Sequence, residues 1–188
     1  MSRVAMSIAV LWVFGVVTSA DLLEPSQVVH AASVSSGRPP MALHGGARSI
    51  ESLIDRFLAA LEARDEEALE GLRVSEEEYR QIIVPGRVPK GAEARHPAKR
   101  NVDYFWGVMD YKSDMYAANL IRDFGGRAYT ERHLELTRNA NEWAWYTAHG
   151  EVRLLLVPPG GQEKYLLRTG WIVEVDGAFK FLSYEYDG

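Results

Sequence analysis

Residues 171–185 read WIVEVDGAFKFLSYE, and this stretch decides the fold class. Two runs of β-branched and aromatic residues flank Asp176-Gly177, a dipeptide that favours the tight turn of a β-hairpin. Towards the N-terminus, apolar and polar residues also alternate with the period of two that is typical of strands. The predicted strand segments are 129–136, 145–157, 163–175 and 179–186. This pattern predicts four antiparallel strands in meander order.

Helical periodicity precedes these strands. Six apolar residues share the spacing of one helical stripe behind a capping Ser49: Ile50, Leu53, Ile54, Phe57, Leu58 and Leu61. Ser75 and Glu78 have the spacing of a capping box that opens a further short helix. The helical pattern returns over residues 101–124, where Gly107 and Ser113 could divide it into two pieces. The sequence therefore predicts an α+β fold, with N-terminal helices packed on a curved four-stranded antiparallel sheet.

The first 20 residues, MSRVAMSIAVLWVFGVVTSA, have the composition of an export signal. One Arg precedes an apolar run of about 14 residues, and Thr18-Ser19-Ala20 supplies the small residues that a signal peptidase accepts. The run is shorter than the roughly 20 residues that a membrane-spanning helix needs. We therefore expect a signal peptide at 1–20, no stable membrane span after its cleavage, and export to the periplasm or the exterior.

The connector at 21–48 contains three Pro and three Gly without a helical or strand period. This composition predicts a flexible linker, in which His30 and His44 are solvated. The folded part is then a single domain at 49–188.

Composition excludes several classes of function. The chain has 188 residues, no Cys and a formal net charge of −5. The absence of Cys removes thiol catalysis, disulfides and thiolate metal sites, and the acidic balance disfavours nucleic-acid binding. The phosphate-binding glycine motifs of nucleotide sites are also missing from the sequence, so no cofactor is predicted.

Two segments resemble nuclear transport factor 2-like domains of the cystatin-like α+β cone type. The segment 49–72, SIESLIDRFLAALEARDEEALEGL, is similar to the opening helices of that superfamily, and 171–185 is similar to its final hairpin. The resemblance covers residues 49–186 as an order of elements. It implies a cone-shaped domain whose sheet wraps a helix and leaves a pocket. Some relatives are isomerases or dehydratases, and many others only bind ligands or partners.

Two rows of polar side chains on the predicted strands form the candidate site. Tyr129, Glu131, His133 and Glu135 share one face of the first strand, and Thr147, His149, Glu151 and Arg153 share one face of the second. In one register, Glu131 lies opposite Arg153, His133 opposite Glu151 and Glu135 opposite His149, and every pair is complementary. A slip of two residues sets Glu131 against Glu151 and His133 against His149, which is unfavourable unless a metal or a shared proton compensates. The rows are then either a solvated outer face of the sheet or the lining of a pocket.

If the rows line a pocket, each side chain has a possible role in catalysis or binding. His149 would be the general base, oriented by Glu131 or Glu151, and Arg153 would hold an anionic group. The spacing matches no metal-binding motif, so no metal site is predicted. Aromatic and apolar residues of the last strands, Trp171 among them, would form an apolar lining.

The basic loop at 85–100 has six cationic or imidazole side chains against the single acidic residue Glu93. It could receive an anionic partner or remain a solvated connection. For the whole chain we expect non-enzymatic binding of a small apolar ligand or a protein partner, with a homodimer through the sheet as a further option. The alternative is an acid–base enzyme of hydrolase, isomerase or dehydratase type that uses His149 and a Glu.

Overall fold

The computed structural model describes residues 39, 41–129, 131–161 and 165–186, and for Glu131 and Leu166 it describes the backbone alone. The predicted signal peptide, His30 and most of the predicted linker lie outside these residues. The helical elements in chain order are α1 (Ile50–Ala63), α2 (Glu66–Gly71), α3 (Glu76–Glu78), a π-helical turn (Tyr79–Ile83), α4 (Val84–Gly86) and α5 (Lys99–Phe124). The strands are β1 (Glu131–Leu136), β2 (Asn141–Glu142), β3 (Thr147–His149), β4 (Val152–Val157), β5 (Tyr165–Arg168), β6 (Ile172–Val175) and β7 (Ala178–Phe181). The α+β prediction is confirmed.

Local sequence signals set the first helices. The Ser49 hydroxyl accepts a hydrogen bond from the Ser52 amide and caps α1, and Leu53, Ile54, Phe57 and Leu61 of the predicted stripe are buried. The predicted capping box is confirmed, because the Ser75 and Glu78 side chains each accept from the other residue's amide. Packing starts before α1, since Leu43 and Ala47 are buried and Ala47 forms a bridge with Phe179.

The long helix α5 runs through both residues that could have divided it. Gly107 lies in its interior, and the buried Ser113 hydroxyl accepts a hydrogen bond from the Tyr184 amide at 3.2 Å. Ser113 therefore connects α5 to the segment that follows β7. A small polar residue inside a helix here marks a tertiary contact instead of a helix end.

The single four-stranded sheet predicted from the sequence is wrong. The described strands form two antiparallel sheets, one of order β1-β4-β5 and the other of order β2-β3-β6-β7. The predicted strand 145–157 is divided between β3 and β4, and the predicted strand 163–175 between β5 and β6. The hairpin at Asp176-Gly177 is confirmed, since β6 and β7 pair there and both turn residues have positive φ.

Two glycines explain the division of the sheet. Gly150 separates β3 from β4, and Gly170, at a φ of +87°, lies between β5 and β6. The two breaks adjoin, because the Val152 amide donates to the Gly170 carbonyl at 3.1 Å. A Cβ at Gly170 would lie 2.5 Å from the Ser183 carbonyl oxygen, so the chain passes too close there for any side chain. The long hairpin, with β3 and β4 in one arm and β5 and β6 in the other, therefore bends at these glycines and passes from one sheet to the other.

The four-stranded sheet separates two hydrophobic clusters. On one face, Ile172 and Phe181 belong to the larger cluster, which includes Phe57 of α1 and Leu120 of α5. On the other face, Ala148, Val173 and Val175 belong to a smaller cluster with Ile82, Ile83 and Trp145. Within the described residues, no helix combines the length and the apolar character needed to cross a membrane.

Candidate functional site

The predicted pairing of the two polar rows is wrong. Strand β1 pairs with β4, so that His133 lies opposite Leu155 and Glu135 opposite Arg153. Strand β3, which contains His149, pairs instead with β2 and β6. The alternation pattern identifies strand segments, but it does not fix which segment pairs with which or in which register. The bend at Gly150 therefore divides the second polar row: Thr147 and His149 lie in the four-stranded sheet, whereas Arg153 lies beside Glu135 in the three-stranded sheet.

His149 has a carboxylate partner that the sequence did not predict. Its Nε2 atom lies 2.8 Å from Oε2 of Glu174 on β6, and its ring lies 5.8 Å from the ring of Phe179. The His149 side chain is only 16% exposed. This His–Glu pair belongs to the face of the sheet that carries Ile172, since His149 and Ile172 are register partners.

The remaining predicted site residues of the polar rows are dispersed. The Tyr129 hydroxyl donates to the Phe124 carbonyl at 3.2 Å, and His133 is exposed on β1. Glu151 accepts from the Thr137 hydroxyl at 3.3 Å and lies 3.7 Å from Arg168. Arg153 lies between Glu135 and Arg168 in the register of the three-stranded sheet, and the Glu131 backbone is opposite Val157. The structure does not bring these side chains together with His149.

Trp171 lies at a different place, in a groove of about 920 Å³ on the opposite face of the four-stranded sheet. The floor of the groove is formed by Ala148, Trp171 and Leu182. Its walls come from the π-helical turn, α4 and the loop after it, α5, and the chain from the β1–β2 connection to the β2–β3 connection. The residues of these walls are Tyr79, Ile83, Val84, Arg87, Arg95, His96, Pro97, Asn101, Val102, Phe105, Met109, Arg138, Asn141, Trp143 and Tyr146. Because side chains alternate along a strand, Ala148 at the groove places His149 on the other face.

Backbone contacts hold the basic loop against this groove. The Ala144 amide donates to the Val88 carbonyl at 2.9 Å, and Pro89 forms a bridge with Trp143. Farther along the loop, the Arg95 amide donates to the Pro85 carbonyl at 3.1 Å. The loop and the β2–β3 connection, which are more than 50 residues apart in sequence, therefore form one wall.

The chemistry of the groove combines aromatic surface with positive charge. Five aromatic side chains line it, and the charged or titratable groups beside them are three arginines and one histidine: Arg87, Arg95, Arg138 and His96. No Asp or Glu is among the described residues of the lining. Burial raises the pKa of Tyr146 to about 12 and also raises the pKa of Tyr79. Both hydroxyls are able to donate hydrogen bonds. The lining is therefore suited to an apolar body beside negative charge.

The described residues contain no group of three His, Asp or Glu side chains arranged to hold a metal ion. The groove itself offers arginine and tyrosine groups, which donate hydrogen bonds to oxygen atoms of a ligand. Among its described lining residues, no nucleophile is paired with a base.

Sequence reasoning identified Trp171 and the basic loop, but it did not connect them. It missed Tyr79, Arg138, Trp143 and Tyr146. The signal that could have found part of the site is the cluster Trp143-Ala144-Trp145-Tyr146, since four residues with three large aromatics directly before a short strand are unusual for a solvated connection.

No protein-family model matches the chain, and neither the curated proteins nor the solved structures that were compared with it contain a match.

Proposed function

We propose that the protein is an exported, non-enzymatic binding domain that holds a small apolar ligand in the aromatic groove. The observation that supports this most directly is the groove itself, whose volume of about 920 Å³ lies in the range of small-molecule sites. Trp143, Tyr146 and Trp171 provide flat apolar surface there, and ring stacking on such surfaces is worth about 0.5–1.5 kcal/mol per pair. Export is supported by the signal-like composition of residues 1–20.

The kinship with nuclear transport factor 2-like domains is part of the same proposal. It is supported by the order of elements, in which the amphipathic α1 leads into α2 and the chain closes with the β6–β7 hairpin. The resemblance implies a pocket left by the sheet, and the groove floor of Ala148, Trp171 and Leu182 lies at the four-stranded sheet.

Fluorescence titration with N-phenylnaphthylamine, a neutral aromatic probe, tests the binding proposal. We expect saturable binding that is weakened at least several-fold by Trp171→Ala, since this change removes part of the groove floor. Tyr111→Ala is the matched control, because Tyr111 is 71% exposed on α5 and lies outside the groove. Absence of saturable binding, or equal losses in the two variants, would contradict the proposal.

A second candidate is acid–base catalysis by His149, and the observation that favours it is the hydrogen bond from this ring to Glu174. A carboxylate that fixes a histidine ring is the arrangement used by general bases. If this candidate is right, His149→Ala abolishes turnover of an activated ester such as p-nitrophenyl acetate without lowering the unfolding midpoint. His133→Ala, an exposed histidine on β1, is the control that should keep the wild-type rate.

A further inference from the structure

The arginines of the groove differ from two arginines elsewhere in the molecule, Arg73 and Arg80, in their charged neighbours. Arg73 pairs with Asp110 and Asp114, and Arg80 pairs with Glu76 and Asp103. Within the part of the chain that the structure describes, Arg87, Arg95 and Arg138 each lack an ion pair with a carboxylate, although the chain as a whole has a net charge of −5. Three unpaired guanidinium groups around one groove concentrate positive potential there.

Two of these guanidinium groups lie over indole rings of the groove lining. The Arg87 Cζ atom lies 5.9 Å from the ring centroid of Trp143, and the Arg138 Cζ atom lies 5.8 Å from that of Trp171. A guanidinium that stacks on an indole uses one of its flat faces, and the N–H donors around its edge remain directed away from the ring. These donors have the geometry that binds carboxylate, sulfonate or phosphate oxygens in pairs.

Carboxylates near these elements are occupied elsewhere or lie outside the lining. Glu142 on β2 pairs with Lys90, and Asp103 on α5 pairs with Lys99 as well as with Arg80. Glu93, the acidic residue of the basic loop, is exposed and is not among the residues that line the groove. The exposed side chains of Arg87, Arg95 and Arg138 therefore have no carboxylate partner within the described lining of the groove.

We propose that the ligand of this groove is a small organic anion, with an apolar or aromatic body against Trp143, Tyr146 and Trp171 and an oxyanion bound by Arg87 and Arg138. The proposal rests on the proposed binding function and deepens it, since it names the charge class of the ligand. Arg95 and His96 lie on the loop side of the same groove, where they add to its positive potential. A neutral apolar ligand would fill the aromatic part but would leave these cations without a counterion.

The test compares two probes that share one aromatic body. Anilinonaphthalene sulfonate carries a sulfonate that N-phenylnaphthylamine lacks, so the ratio of their dissociation constants isolates the contribution of the anion. We expect the sulfonate to bind about tenfold more tightly at low salt, as charge-assisted hydrogen bonds allow. Added salt should weaken the sulfonate and leave the neutral probe unchanged, because screening acts on the charged ligand alone.

Single substitutions test whether the tighter binding of the sulfonate depends on Arg87 and Arg138. Arg87→Gln and Arg138→Gln should each lower the ratio of sulfonate affinity to neutral-probe affinity several-fold, whereas Arg48→Gln, a change at an exposed arginine outside the groove, should leave both affinities unchanged. Circular dichroism and the thermal midpoint establish that each variant is folded. If one of the two arginine variants does not fold, the other still tests the proposal.

The outcomes separate the two proposals. Equal affinity for both probes, with the ratio unchanged in Arg87→Gln and Arg138→Gln, overturns the anion inference and leaves the binding function standing. Failure of both probes to bind overturns both proposals. Sulfonate binding that survives Trp171→Ala unchanged places the anion elsewhere on the surface and also overturns the inference.

Discussion

The apolar side chains on the two faces of the four-stranded sheet are covered to different extents. Both faces carry apolar side chains, with Ile172 and Phe181 on one and Val173 and Val175 on the other. The first face is closed, because α1, α2 and α5 cover it with fully buried side chains such as Phe57. The second face is covered at one end and open at the other, where the aromatic groove lies.

Charge distinguishes the two ends of the second face. At the covered end, Lys180 donates to both carboxylate oxygens of Glu78, at 3.2 and 3.0 Å, and both side chains are buried. Glu78 also accepts from the amides of Ser75 and His44, so its charge is fully satisfied. At the open end, Arg87 and Arg138 have aromatic neighbours in place of carboxylates. The two ends therefore differ in how charge is held, by a buried ion pair at one and beside aromatic rings at the other.

The largest expected effect comes from the closed face. Phe57→Ala should lower the free energy of unfolding by about 3–5 kcal/mol, because it removes a ring that packs 5.3 Å from Phe181 and 5.8 Å from Tyr184. Trp171→Ala, on the open face, should cost about 1 kcal/mol and act mainly on probe binding. Urea unfolding of both variants measures the difference. Equal losses of stability would mean that the groove is as tightly packed as the closed core.

The buried ion pair gives the next effect. Lys180→Met should cost about 3 kcal/mol or more, since it leaves the Glu78 carboxylate buried without its cation. Lys90→Met is the matched control, because it breaks a pair with Glu142 in which both side chains are mostly exposed, and its cost should stay below about 1 kcal/mol. Similar unfolding midpoints for the two variants would show that the Glu78–Lys180 pair is not structural.

Local signals predicted much of the fold. The Ser49 cap, the Ser75–Glu78 capping box and the Asp176-Gly177 turn each act over a few residues, and all three are confirmed. The bend of the long hairpin was not predictable in the same way. The composition of residues 145–157 predicts one long strand, and the need for a break at Gly150 and Gly170 arises from close contacts with Arg138 and Ser183.

The groove could be predicted from the sequence only in part, for the same reason. Its walls combine the basic loop, α5 and the β2–β3 connection, and no window of sequence contains all three. The charge of the loop at 85–100 was visible in the sequence, as was the aromatic character of Trp171. Their common site depends on tertiary contacts such as the hydrogen bond from Ala144 to Val88.

The bend that separates the sheets can be tested with two glycines of similar φ. Gly170→Ala should cost about 2 kcal/mol or more, since the new Cβ would lie 2.5 Å from the Ser183 carbonyl oxygen in addition to the strain of a φ of +87°. Gly177→Ala has a φ of +78° but open space around it, so only the backbone strain of about 1 kcal/mol applies. Chemical denaturation measures both. A larger loss at Gly177 would contradict the role assigned to the close contact at Gly170.

The smallest effect concerns pH and the groove wall. Burial raises the pKa of Tyr146 to about 12, so the unfolded chain releases this proton at a lower pH than the folded one. Its contribution to stability is complete below about pH 10, where the unfolded tyrosine stays protonated, and is lost as the pH rises towards the folded value. The loss should reach about 1 kcal/mol near pH 11. Tyr146→Phe should remove this part of the dependence of stability on pH. The part that comes from the more deeply buried Tyr184 should remain in both the wild type and the variant. Superimposable curves for wild type and Tyr146→Phe would mean that water reaches the Tyr146 hydroxyl, and the groove would then be more open than its aromatic walls indicate.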